Sequence, residues 1–219
     1  MTPPARWSRI EPLMGVAAVV LWAIGFQLWS AGDKPSGDYQ NESIVSWFDD
    51  ARWTIFGGAA LYALGTGAFV WFLACLRDAL AVGGWANRWA RVAFGAGIAA
   101  AVLLACSFAP SVAGAETFAI GDQRGISPDA AEALYALTDG FVVLAEFVAV
   151  AFFLAAGLVA LRARVLPVWL AIITLLLAAL LLVLPIGFVG IIFLMPVWTI
   201  IVAIVLATRA SVPVAAPPS

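Results

Sequence analysis

Apolar runs of about twenty residues recur along this chain, and that recurrence leaves it essentially one class of fold. A hydrocarbon core about 30 Å thick is crossed by about twenty apolar residues at 1.5 Å rise per residue. Six stretches qualify, at about 13–29, 53–76, 92–108, 134–161, 166–183 and 189–208. Lipid offers a backbone N–H or C=O no partner, so each run has to close its hydrogen bonds internally as a helix. The expected fold is all-α, a polytopic bundle of six transmembrane helices forming a single membrane domain over residues 1–219. Leu184-Pro185-Ile186-Gly187 divides the last apolar block into spans 5 and 6 as a tight turn. With 64% hydrophobic and 11% charged residues, the chain lies far from soluble composition. The outer connections, about 30–52 and 109–127, are too short for a folded soluble domain.

Charge distribution gives the expected orientation. Arg6, Arg9, Arg77, Arg88, Arg91, Arg162, Arg164 and Arg209 all fall on one side of the six-span arrangement, whereas Lys34, Arg124 and most acids fall on the other, with Arg52 at its border. The positive-inside rule then puts both termini in the cytoplasm. Bulky Trp29 before Ser30-Ala31 is a poor −3 residue for signal cleavage, so span 1 is read as uncleaved. Trp7, Trp29, Trp53, Trp85, Trp89 and Trp169 near span ends are read as interfacial anchors.

Several features bear on packing. Ser127-Pro128-Asp129 has the form of a helix start, which makes the fourth helix about 50 Å long and lets it project outward. Ile44, Trp47, Phe48 and Ala51 share one helical face, either extending the second helix outward or forming a separate interfacial helix. Both outward extensions end in similar text, Leu73-Ala74-Cys75-Leu76-Arg77 and Leu158-Val159-Ala160-Leu161-Arg162, a faint sign of duplication. Small residues every four positions, at Ala59, Ala63 and Gly67 and at Ala93, Gly97, Ala101 and Ala105, are expected to give close helix contacts. Pro196 is expected to bend span 6. Cys75 and Cys106 are expected at opposite depths as free thiols.

Glu146 is the candidate functional residue, a carboxylate well inside an otherwise uncharged run. Glu132, Asp139 and Glu146 are seven apart, so they descend one helical face with about 20° of drift per step. Glu146 lies about 10 Å deeper than Asp139, where an apolar setting favours the neutral acid. Ranked by depth, its candidate partners are Gln27, Tyr62, Thr66 and Ser107. Arg52 lies at the outer edge, where it could pair with Asp139 or Glu132 instead. Two uses follow: Glu146 as interhelical hydrogen-bonding glue, or a proton or cation site fed from a vestibule lined by the three acids.

Composition narrows the chemistry. The chain has no His, which removes the commonest general base and metal ligand, and its two Cys cannot build a Cys-rich metal site. No Gly-x-Ser-x-Gly elbow occurs, and Asp139 has no second Asp at membrane depth. No metal site or cofactor is expected, and no basic footprint for nucleic acid exists.

The segment Leu161-Arg162-Ala163-Arg164-Val165-Leu166-Pro167-Val168-Trp169-Leu170, with the Pro/Gly turn and the Trp198-containing span beyond it, resembles a group of uncharacterised six-span bacterial membrane proteins abundant in actinobacteria. Asn41 to Leu80, ending in Leu76-Arg77-Asp78-Ala79-Leu80, is similar to them too, and ten Arg against one Lys accords with a high-GC genome. The resemblance implies the six-span fold and a plasma membrane location, and it transfers no functional residue. The expected role is non-enzymatic: a binding, assembly or accessory protein whose partners are the bilayer and other membrane subunits or further copies of itself. The competing expectation is a small proton- or cation-coupled carrier using Glu146.

Overall fold

A computed structural model describes residues 10–31, 41–119, 125–183 and 190–209, and every regular element among them is helical. A 3-10 turn, Glu11–Leu13, leads into α1 (Met14–Trp29); α2 (Asn41–Asp50), α3 (Arg52–Leu80), α4 (Gly84–Cys106), α5 (Ala109–Ala119), α6 (Pro128–Ala163), α7 (Val168–Leu180) and α8 (Met195–Arg209) follow, α8 being entered through a π-helical turn, Gly190–Leu194. Five stretches are long and apolar enough to cross a membrane: 11–29, 52–80, 84–119, 128–163 and 190–209. The chain is therefore of membrane-spanning type. The fifth expected span is shorter than 166–183. Pro167, extended at φ −53° and ψ 140°, delays the start of α7 to Val168, and the helix gives way to turns at Leu181, leaving 13 helical residues. The expected Pro/Gly turn at 184–187 lies outside the described residues, as do Arg6, Trp7, Arg9, Lys34, Arg124 and the tail 212–219.

Local chemistry sets the helix ends. Ser127, at φ −66° and ψ 147°, accepts the Ala130 N–H through Oγ at 3.4 Å, and Pro128 opens α6 with the fixed φ that a first helical position tolerates. Arg164 closes α6 in the left-handed region at φ 53°. Gly83 and Gly84, at φ 109° and 53°, turn the chain between α3 and α4. Pro196 is the second residue of α8, where a missing backbone donor is tolerated, and a π-helical turn, Gly190–Leu194, lies just before it.

One contact governs the bundle interior. A Cβ on Gly25 of α1 would sit 2.7 Å from Gly58 O and 2.9 Å from Tyr62 N, and one on Gly58 would sit 2.6 Å from Gly25 O and 2.8 Å from Trp29 N. The two backbones touch there, and Gly65 repeats the approach one heptad on, against Trp22 and Ala18 O. The expected α3 stripe is not the one used: Gly67 has open space beside it and Ala63 is exposed. The α4 stripe is used. Ala93, Gly97 and Ala101 are buried, and Gly97 is wedged between Leu73 of α3 and Phe152 of α6. Trp198 of α8 packs edge-on against Phe72, Phe152 and Phe153 and donates its Nε1–H to Thr174 Oγ1 at 2.8 Å, joining α8 to α3, α6 and α7.

The expected outer connections are partly folded. Residues 109–119 form α5 rather than a loop, and α2 carries into α3 with its ladder intact across Ala51, whose N–H donates to Trp47 O at 3.0 Å and whose carbonyl accepts from Ile55 at 2.9 Å. Ala51 itself departs from helical dihedrals, at φ −96° and ψ 8°, so the extension bends there. Together α2, α5 and the start of α6 form a cap with its own apolar core of Ile44, Trp47, Phe48, Phe108, Ala115 and Ala131. Trp29 is buried in this cap rather than anchored at an interface, whereas Trp53, Trp85, Trp89 and Trp169 are exposed. At the opposite end Glu11, Cys75, Asp78, Val165 and Arg209 come together, and Arg209 donates to the Val165 carbonyl. Both cysteines are free.

Gly58→Ala is expected to lower thermal stability in detergent by about 1–3 kcal/mol, because the added methyl meets backbone that cannot yield. Gly67→Ala, which adds the same methyl into open space, is expected to be neutral or to stabilise by up to about 1 kcal/mol through helix propensity. Equal melting shifts for the two variants would contradict the assigned α1–α3 contact.

Candidate functional site

The unbroken α6 ladder carries Glu132, Asp139 and Glu146 at three levels, and their surroundings differ at each. Glu132 is exposed beside the cap. Asp139 is exposed into a pocket. Glu146 is 1% exposed, and its Oε1 has no hydrogen-bond partner among the described residues. The acids thus follow one helix without sharing one chamber.

The pocket, with a volume of about 320 Å³, lies below the cap among α1, α3, α4, α6 and the 191–196 segment. Its polar lining is Gln27, Tyr62, Ser107, Thr138 and Asp139, and its aromatic lining includes Trp22, Phe26, Trp29, Tyr62 and Phe108. Four residues singled out from the sequence, Gln27, Tyr62, Ser107 and Asp139, are therefore brought together, but around Asp139 rather than Glu146. Glu146 does not line the pocket. Val142 does, one helical turn above it.

The hydroxyls of Ser107, Thr138 and Thr66 have defined partners. Ser107 Oγ donates to Leu104 O at 2.7 Å and Thr138 Oγ1 to Leu134 O at 3.5 Å, so both hydroxyls are tied to their own helices. Thr66 is buried behind the pocket, donating to Tyr62 O at 3.0 Å and accepting the Trp22 Nε1–H at 3.3 Å. It thereby fixes the indole that forms the wall instead of meeting Glu146. Arg52 is paired with Asp49 and not with Asp139 or Glu132. Asp139 forms no ion pair or hydrogen bond among the described residues.

The aromatic wall is continuous. Trp22 stacks on Tyr62 at 5.6 Å between centroids, Tyr62 lies 4.4 Å from Phe108, and Phe108 lies 5.1 Å from Trp29. The sequence carried a signal for part of it: Trp22 and Trp29 are seven apart on α1 and so share a face. Thr138, Phe108 and Ile191–Pro196 had no such mark. Among the described residues no three His, Cys, Asp or Glu side chains cluster as metal ligands would. The chamber thus combines aromatic and aliphatic walls, two hydroxyls bonded to their own helices and, among the described residues, one carboxylate without an ion pair.

Comparisons with protein-family models, curated proteins and solved structures returned no match.

Replacing Glu146 with Met is expected to raise the unfolding temperature, since it removes a buried carboxyl oxygen left unsatisfied at a cost of about 1–3 kcal/mol. Thr66→Val is expected to lower it by a similar amount, leaving the Trp22 N–H unpaired. Thermal denaturation of both variants in one detergent checks the pair, and a destabilised Glu146→Met would mean that the carboxyl is satisfied.

Proposed function

We propose that the chain is a six-span, non-enzymatic protein of the bacterial plasma membrane, and that it acts by binding, as an accessory or assembly component, through the pocket beneath its cap. The observation that carries this reading is the pocket itself: about 320 Å³, walled by aromatic rings and reached by one unpaired carboxylate, Asp139. In this arrangement α7, though short, is the fifth crossing. The Arg-bearing ends of α3, α6 and α8 face the cytoplasm, and the cap faces outward, in accord with the positive-inside rule. The resemblance to six-span actinobacterial proteins supports the same topology and location.

Native mass spectrometry of the wild type released from mild detergent is expected to show a bound small molecule that is lost when Ser107→Phe fills the pocket. Absence of any bound mass, together with no ligand-dependent thermal shift across a chemically diverse library, would overturn the binding reading. For topology, a fluorescent reporter fused after Arg209 is expected to be cytoplasmic, and a cysteine placed at Ser43 is expected to react with an impermeant maleimide from outside. Labelling of that cysteine only after cell lysis would invert the orientation.

A second reading is favoured by one feature, the buried Glu146 carboxyl one turn below Val142 in the pocket lining. An acid so placed would take up a proton or cation that has passed Asp139, making the chain a small coupled carrier. Proteoliposomes decide this: proton or cation flux coupled to a solute in the wild type and abolished in Glu146→Gln would establish the carrier, whereas the same flux in both would remove it.

A further inference from the structure

We propose that the pocket takes a small organic cation with an apolar body, of the quaternary ammonium class, its charge held at the Asp139 carboxylate and its alkyl or aryl groups against Trp22, Tyr62 and Phe108; this rests on the pocket being a binding site.

The charge balance comes first. Asp139 is the one charged residue among the described lining groups, and no described Lys or Arg pairs with it, Arg52 being committed to Asp49. An uncompensated carboxylate against low-dielectric walls favours a cationic occupant, because the attraction is screened less there than in water.

The type of cation follows from the donors and acceptors present. A hard metal ion wants about six oxygen ligands, charged ones above all, whereas the described lining offers one carboxylate and otherwise only the neutral Gln27, Tyr62, Ser107 and Thr138 side chains. A primary ammonium would bring three N–H donors, each needing an acceptor turned toward it. A quaternary ammonium has none to satisfy. It is bound instead by opposite charge at a short distance and by apolar contact of its alkyl groups.

The wall suits that requirement. Trp22, Tyr62 and Phe108 form an unbroken array with centroid spacings of 5.6 and 4.4 Å, and the Trp22 ring is held by its hydrogen bond to Thr66. The volume of about 320 Å³ stands at the small end of the roughly 300–1,000 Å³ typical of ligand sites. That matches a single head group with one aryl or short alkyl arm.

The test uses the full chain in nanodiscs of zwitterionic lipid and two radiolabelled probes of the same shape: benzyltrimethylammonium, permanently charged, and neopentylbenzene, its uncharged carbon isostere. Saturable binding of the cation is expected, with the isostere weaker by at least about tenfold, consistent with loss of a partly shielded charge contact. Asp139→Asn is expected to weaken the cation by a similar factor without weakening the isostere, and pocket-filling Ala23→Phe or Ser107→Phe to abolish both, with fold checked by circular dichroism and gel filtration. Two filling variants are used so that misfolding of one leaves the other to report. Equal affinity for the two probes, or cation binding unchanged in Asp139→Asn, overturns the cation assignment and leaves the pocket reading standing. No saturable binding of either probe to the folded wild type overturns both.

Discussion

The direct backbone contact between Gly25 and Gly58 is what the rest of the molecule depends on. In lipid there is little hydrophobic drive to push one helix against another, so association comes from dispersion at close range and from a few polar contacts. Two glycines facing each other let α1 and α3 approach until backbone meets backbone. That approach also places side chains. Trp22, Trp29 and Tyr62 flank the contact, and all three line the pocket. The site is therefore a consequence of the closest backbone approach among the described helices rather than an addition to it.

The two ends of the molecule are built on different terms. Below the contact, Trp198 joins α8 to α3, α6 and α7 through three edge-on aromatic contacts and one buried hydrogen bond. Above it, α2 and α5 close over the pocket as a cap held by Phe48, Trp47 and Ile44. Gly114 is essential to that closure, because a Cβ there would lie 2.4 Å from the Phe48 ring. The pocket occupies the seam between these two cores, where neither set of side chains fills the space.

Much of the fold was legible in the sequence, because length and hydropathy leave a membrane helix few alternatives. The start of α6 at Pro128 followed from Ser127-Pro128-Asp129, and α1 and α3 lie close to their expected bounds, whereas α4 starts at Gly84 rather than near 92 and α8 at Met195, behind a π-helical turn, rather than near 189. The misses have physical causes. Helix α5 reads as loop, since Pro110 and Gly114 are turn residues by propensity, but Pro110 sits where a first turn tolerates it and Gly114 is needed by its neighbour. On α3 the sequence offers two small-residue stripes, Ala59-Ala63-Gly67 and Gly58-Gly65. Only the partner helix decides between them, and spacing within one helix does not contain the partner.

The candidate site shows the same division. Depth ranking found three polar groups of the pocket, Gln27, Tyr62 and Ser107, and the seven-residue spacing of the acids found Asp139, because depth is set by residue count. It aimed them at Glu146, because a helical face drawn on one segment says nothing of which neighbours stand beside it. In the fold, Glu146 and Asp139 separate by environment: one is sealed against packed helices, the other opens into an aromatic chamber. A sealed carboxyl with an unsatisfied oxygen stores an unfavourable term that the bundle has to offset. A carboxylate facing a cavity costs little, because its charge is available to whatever enters. Had binding been the only demand, Asp139 would suffice and an apolar residue at 146 would make a more stable bundle. The coupled reading stands on that buried acid, one helical turn below Val142 of the pocket lining, and so on burial, independently of what the pocket holds.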